Sequence, residues 1–177
     1  MRRSRFAYRS WIPALALLAS ASALAAGTSV TGIGIGATLP QGVFAEFNDP
    51  SYFVQSRSIY AEKTFGGRLA AYYADTKGAE GAAGGRIYGL DIDVVARFGG
   101  KATFGYVYAG AGYGKLTMTT PGPTPGTAQR YGHWDWCWNG GIGVSIKNKV
   151  YIEAGYVQYQ TDPETTEFIP VVVGFEW

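Results

Sequence analysis

The sequence predicts an all-β chain, with eight antiparallel strands in up-and-down order closed into a barrel. Three observations carry this expectation. Segments of about ten residues alternate between apolar and other side chains, the period of a strand with two unlike faces. The connections between these segments alternate along the chain between short turns and longer loops. The composition also suits β structure: aromatics make up 15%, there are 26 glycines, and the 13 tyrosines outnumber the 9 phenylalanines and 5 tryptophans.

Residues 1–26 read as a cleaved secretory signal, leaving 27–177 as one barrel domain. Arg2, Arg3, Arg5 and Arg9 form a positive start, Trp11 to Ala26 is an apolar run, and Ala23-Leu24-Ala25 offers a small-x-small cleavage site. The signal holds four of the fifteen basic residues and none of the thirteen acidic ones, so the remainder has eleven against thirteen. Its net charge is therefore −2, and nothing points to nucleic acid. The single cysteine, Cys137, excludes an intrachain disulfide.

The predicted strands run in order. Ser29–Leu39 opens the domain, with Gly32, Gly34 and Gly36 on one face. No helical pattern follows these glycines, so they are not a dinucleotide fingerprint and read as lumen-facing. Tyr52–Phe65 comes second, although Phe53 to Ser58 lacks clean alternation. Gly67–Asp75 follows after a turn at Gly66-Gly67. Arg86–Phe98 and Ala102–Met118 are joined by 99–101, and Trp134–Ile146 and Val150–Gln160 by 147–149. These connections hold Gly, Asn or Lys, which are hairpin-turn residues. The last strand, Ile169 to Trp177, alternates Ile169, Val171, Val173, Phe175 and Trp177 with Pro170, Val172, Gly174 and Glu176. The longer connections, 40–51, 76–85, 119–133 and 161–165, all fall at the opposite end of the barrel from the turns. This asymmetry fits short periplasmic turns and longer extracellular loops.

Parity assigns the faces. Tyr88, Leu90, Ile92, Val94, Ala96 and Phe98 share one side, opposite Ile87, Gly89, Asp91, Asp93, Val95 and Arg97. Trp134, Trp136, Trp138, Ile142, Val144 and Ile146 oppose Asp135, Cys137, Asn139, Gly141, Gly143 and Ser145. In the fifth strand Phe104, Tyr106, Tyr108, Leu116 and Met118 oppose Thr103, Gly105, Val107, Ala109, Ala111 and Lys115. A soluble barrel would clothe its polar face in Lys and Glu. Here that face is mostly small residues with isolated charges, which suits a narrow lumen, while Trp and Tyr near strand ends match interfacial girdles. Strands of about ten residues, tilted by about 40°, also span the roughly 25 Å apolar band of such a barrel. The bulky face is therefore predicted to meet lipid. Placing the hairpins on their turns sends Glu62, Arg68, Asp91, Asp93, Arg97, Lys115 and Glu153 inward as salt-bridge candidates. Together they would form a plug that holds the barrel and blocks conduction.

Along 27–177 the chain resembles the small eight-stranded outer-membrane barrels of the OmpA-domain, OmpX and opacity-protein type. The residues that carry the resemblance are Tyr151 to Tyr156 and the tail Phe168-Ile169-Pro170-Val171-Val172-Val173-Gly174-Phe175-Glu176-Trp177. It implies an outer-membrane location in contact with lipid and lipopolysaccharide. It also implies that Ile169, Val171, Val173, Phe175 and Trp177 are read by the barrel-assembly machinery. Members serve as surface antigens, adhesins or envelope-stability proteins.

Candidate chemistry is sparse. Some barrels of this kind modify lipid A with a Ser-His-acid set. The only histidine, His133, lies in His133-Trp134-Asp135, without the His-x-Ser spacing, and Ser145 is about 40 Å further along the same strand. Asp91-x-Asp93 places two carboxylates about 7 Å apart on one face, where an interior salt bridge explains them better than a metal. No catalytic, cofactor-binding or metal set emerges. The expected role is structural or surface interaction, adhesin- or antigen-like, through loops 40–51 and 119–133. A narrow channel for small hydrophobic solutes and a lipid A-modifying enzyme are the alternatives.

Overall fold

Eight strands close into one barrel in the computed structural model, which describes residues 28–78, 84–121, 128–161 and 165–177. The predicted signal lies outside these residues, as does most of the proline-rich stretch 121–126. The strands are β1 Thr28–Gln41, β2 Ser51–Glu62, β3 Phe65–Asp75, β4 Gly85–Gly99, β5 Phe104–Pro121, β6 Ala128–Ile146, β7 Val150–Tyr159 and β8 Thr166–Glu176. Each pairs antiparallel with its sequence neighbours, and β1 pairs with β8 to close the ring. Closure leaves no edge within the wall, so its backbone groups need no water. The β7–β8 ladder skips Ile169 and Pro170, and proline has no N–H to offer there.

Short turns gather at one end. Lys63-Thr64 joins β2 to β3, with Lys63 at φ 64°, and Lys147 to Lys149 joins β6 to β7. The first turn corrects the expected one at Gly66-Gly67, because those glycines pair inside the ladder with Ala61 and Tyr60. At the other end the expected loop 40–51 contains a short helix, α1 (Gly42–Phe47), and a strand pair of Asn48–Asp49 with Lys77–Gly78. The expected loop 119–133 is mostly ladder, since β5 and β6 stay paired out to Pro121 and Ala128.

The outer wall is apolar. Ile35, Ile92, Val94, Ile142, Val173 and Phe175 stand exposed on it, and Trp136 retains 66% of its surface. The lumen is filled in layers. Val30, Ile59, Val95 and Phe104 fill the turn end, and Phe53, Tyr72, Ile87, Leu116, Val157 and Phe168 fill the loop end beneath Phe44 of α1.

The fifth strand reverses the expected facing. Phe104, Tyr106, Tyr108 and Leu116 point inward and are buried, while Val107, Tyr113 and Lys115 belong to the outer side. Space decides this. The rings of Tyr106, Tyr108, Tyr151 and Tyr159 lie over Gly143, Gly141, Gly34 and Gly114, where a Cβ would collide with them. Inward glycines are therefore seats for inward tyrosines, whose hydroxyls then reach polar partners at the barrel centre.

Placing arginine at the middle of the outer wall tests this facing. Ile92→Arg should cost about 2–4 kcal/mol in urea unfolding from lipid vesicles. An unchanged midpoint would mean that Ile92 does not meet lipid.

Candidate functional site

The middle of the lumen is polar, and it is built around Glu153 of β7, which is almost wholly buried. An ionised carboxylate in such a place needs charge and hydrogen-bond partners on both oxygens. Arg68 of β3 donates from Nη2 to Glu153 Oε1 at 2.6 Å, and Arg57 of β2 brings Nε to 3.5 Å from Oε2. Tyr106 donates to Oε2 at 2.7 Å, and Tyr108 and Gln55 donate to Oε1 at 3.2 Å and 3.1 Å.

The network spreads from there. Arg57, with no exposed surface, donates to Glu176 Oε2 at 2.9 Å, and Ser145 of β6 donates to the other oxygen of Glu176. Arg68 donates also to Asp93 of β4. The guanidiniums lie on aromatic faces, Arg57 3.8 Å from the Tyr151 ring centre and Arg68 4.1 Å from that of Tyr108. Every strand except β1 contributes a polar side chain, and β1 contributes the glycines under Tyr151. Nearer the loop end, Tyr72 and Tyr159 share a hydroxyl hydrogen bond of 2.6 Å.

Of the predicted inward charges, Arg68, Asp93 and Glu153 come together in this network. Asp91 is buried on the same side, against Cys137 Sγ at 3.7 Å. Arg97 faces inward but donates to the turn carbonyls of Gly100 and Lys101, at 3.0 and 2.7 Å, and covers the Phe104 ring at 3.6 Å. It bonds to no carboxylate there. Glu62 is a correction: even-numbered residues of β2 face out, and it sits exposed beside the turn. Lys115 is another, because the inward positions of its strand belong to Gly114 and Leu116.

Sequence reasoning missed Arg57, Gln55, Glu176, Ser145 and the tyrosines. Tyr106 and Tyr108 carried a usable signal, since inward glycines stand on the neighbouring strand. His133, at the loop end, lies 2.9 Å from Asp135 through Nε2 and is half exposed. The outward row Ile169, Val171, Val173, Phe175 and Trp177 of the tail lies on the lipid side.

A family model, the outer membrane protein beta-barrel domain, matches residues 12–175. The chain belongs to this family. It is accordingly a bacterial outer-membrane barrel, and lipid is the medium around its wall. Solved structures agree on the fold. Ail, the attachment invasion locus protein of Yersinia pestis, superposes with a TM-score of 0.55 at 16% identity, over 84% of this chain and 99% of its own. The N-terminal barrel of Pseudomonas aeruginosa OprF gives 0.54 at 15% identity, over 85% and 98%. The outer membrane enzyme PagL gives 0.55 at 17% identity, over 84% and 98%. Another Ail structure holds the heparin analogue sucrose octasulfate. The sequence matches none of the curated proteins.

Removing one member of the network should leave a buried charge stranded. Arg57→Met and Arg68→Met should each cost about 3–5 kcal/mol, with Glu153→Gln restoring part of the loss in the Arg68→Met background. Arg97→Glu should cost less, about 1–3 kcal/mol, because bonds to turn carbonyls and the contact with the Phe104 ring are lost but no ion pair. Urea unfolding in vesicles measures all four, and a wild-type midpoint for Arg57→Met would remove the network from its central place.

Proposed function

We propose that this protein is a non-conducting outer-membrane anchor whose working surface is its loop end, in a structural or surface-interaction role of the adhesin or antigen kind. The observation that carries this reading is the layered lumen: an apolar layer at each end encloses the ion-pair layer, and Phe44 of α1 covers the loop-end layer. Side chains packed in this way among the described residues support a lumen closed to water and to hydrophobic solutes.

The loop end, by contrast, is built out. Strand β7 begins its ladder with β6 at Tyr159 opposite Cys137, yet β6 continues back to Ala128. Nine further residues, about 30 Å of strand, thus form an arm beyond that pairing. Among the described residues the one backbone bond to this arm on its β7 side is Gln160 N–H to Trp136 O at 3.1 Å, and the N–H and C=O groups beyond it could take a partner's extended segment. The four loops carry five carboxylates (Glu46, Asp49, Glu80, Asp162 and Glu164) against two cations, Lys77 and Arg130. That balance disfavours a polyanion such as the one Ail holds, and favours a neutral or cationic surface partner.

We propose no enzymatic role: His133 lies 2.9 Å from Asp135, an acid and not a nucleophile. The outward row that ends in Phe175 and Trp177 is proposed as the strand read by the barrel-assembly machinery. Phe175→Ala/Trp177→Ala should then lower the amount of folded, heat-modifiable protein in outer-membrane fractions several-fold, and unchanged levels would count against it.

In planar bilayers the wild-type protein should show no unitary conductance; steady channel openings would overturn the anchor reading. An epitope inserted within 122–127 should be labelled on intact cells. Labelling only after the outer membrane is breached would reverse the orientation.

A further inference from the structure

Two carboxylates in the lumen are only partly compensated. Asp91 and Asp93 of β4 stand two residues apart on the inward face and keep 3% and 4% of their surface. Asp93 offers Oδ2 to Arg68, while its Oδ1 has no hydrogen-bond partner. The ion pairs among the described residues include none for Asp91, which meets the Cys137 thiol at 3.7 Å.

Asn139 of β6 faces this pair across bare backbone. In the ladder Gly110 of β5 lies between Asp93 and Asn139, and Gly112 lies between Asp91 and Cys137. A Cβ on Gly110 would collide with Asp93 Oδ1, and one on Gly112 with Asp91 Oδ1. Both carboxyl groups therefore lean over β5 toward β6. The Asn139 amide lies next to both of them, but not in hydrogen-bonding geometry. Neither its Oδ1 nor its Nδ2 has a partner, although the residue keeps only 8% of its surface. The charge count shows the same shortfall. Asp91, Asp93, Glu153 and Glu176 are buried against the guanidiniums of Arg57 and Arg68. Arg97 donates to turn carbonyls, and even with it counted one negative charge is left over. A buried carboxylate without a counter-charge is costly.

We propose that Asp91, Asp93 and Asn139 hold a single hard metal cation of the calcium class inside the lumen. The donors decide the class. Asp93 Oδ1, the Asp91 carboxylate and Asn139 Oδ1 are all oxygen, the ligand type that suits calcium and magnesium. Asn139 Nδ2 then donates to a carboxylate oxygen. Among the described residues no three His, Cys, Asp or Glu side chains gather, so a zinc-type site does not arise. Calcium suits better than magnesium, because it accepts the irregular coordination that side chains fixed on two strands impose. With the lumen packed, the ion is taken up as the barrel closes. The site lies inside the barrel, so it does not depend on what the loop end meets.

The test refolds the domain in phosphatidylcholine vesicles with calcium or EDTA present from the start and reads urea unfolding. Each tenfold excess of calcium over its dissociation constant should lower the unfolded fraction about tenfold. Terbium, a hard ion of similar size, should bind at one per barrel with luminescence sensitised by the lumen tyrosines, and calcium should displace it. Asp91→Asn and Asn139→Leu should each abolish the calcium shift and still give the heat-modifiable folded band. They are read separately, so failure of one to fold leaves the other to decide. Glu46→Gln/Asp49→Asn, at the loop end, should keep the shift. Equal wild-type midpoints in calcium and EDTA would overturn the site. A shift that survives in Asp91→Asn and Asn139→Leu would assign calcium to the loops or the membrane, and would overturn it too. A wild type indifferent to calcium, with Asp91→Asn more stable than wild type, would mean that a proton and not a metal offsets Asp91.

Discussion

A carboxylate cannot be left without partners in the middle of a packed lumen, and Glu153 is in that position. Its solvation has to be rebuilt from side chains, and the structure does so from both oxygens with two guanidiniums, two phenols and an amide. Those groups come from β2, β3 and β5, so compensating one charge ties distant parts of the wall to β7. Breaking such a pair is costly even where an apolar replacement of the whole set would cost nothing. The ionic layer is therefore better understood as fixing which residues face inward, and in what register, than as a source of net stability.

That requirement propagates into the backbone. Phenols reach Glu153 only if their rings lie flat across the lumen, which needs bare backbone beneath them. Gly141 and Gly155 lie under the Tyr108 hydroxyl, and Gly143 lies under Tyr106. A Cβ at any of these would collide with the ring, so the glycine content of β6 and β7 is set by the tyrosines of β5. The guanidiniums use the same rings: Arg57 lies on Tyr151, and Arg68 lies on Tyr108. Each aromatic thus fills volume, covers a cation and, through its hydroxyl, supplies a hydrogen bond.

The parts that were legible in the sequence are those where one face is uniformly greasy. β4, β6 and β8 carry unbroken rows such as Leu90, Ile92 and Val94, and their parity placed Asp93, Cys137 and Asn139 inside without ambiguity. β2 was opaque for a physical reason. Its inward row mixes Phe53, Gln55, Arg57 and Ile59, while Ser56 and Ser58 lie on the outer side. An ionic layer between two apolar layers erases period-two contrast in any strand that crosses all three. The Ser58 hydroxyl does not stand alone there, since it shares a 3.0 Å hydrogen bond with Thr31. β5 misled for a different reason. Tyr is amphipathic, and alternation alone does not separate a girdle tyrosine such as Tyr113 from a lumen tyrosine such as Tyr106. Only the glycines of the adjacent strand make that distinction.

The same inversion decides what β5 displays on the outer wall. With Tyr106 and Tyr108 of β5 turned inward to serve Glu153, its odd positions face lipid, and Lys115 goes with them. A lysine there is tolerable only near the interface, where a long stem can lift its charge out of the hydrocarbon. Lys115 meets that condition because Gly132 leaves its stem a track and Thr117 lies beside it. The charge requirement at the centre thus helps decide which side chains the wall displays to lipid.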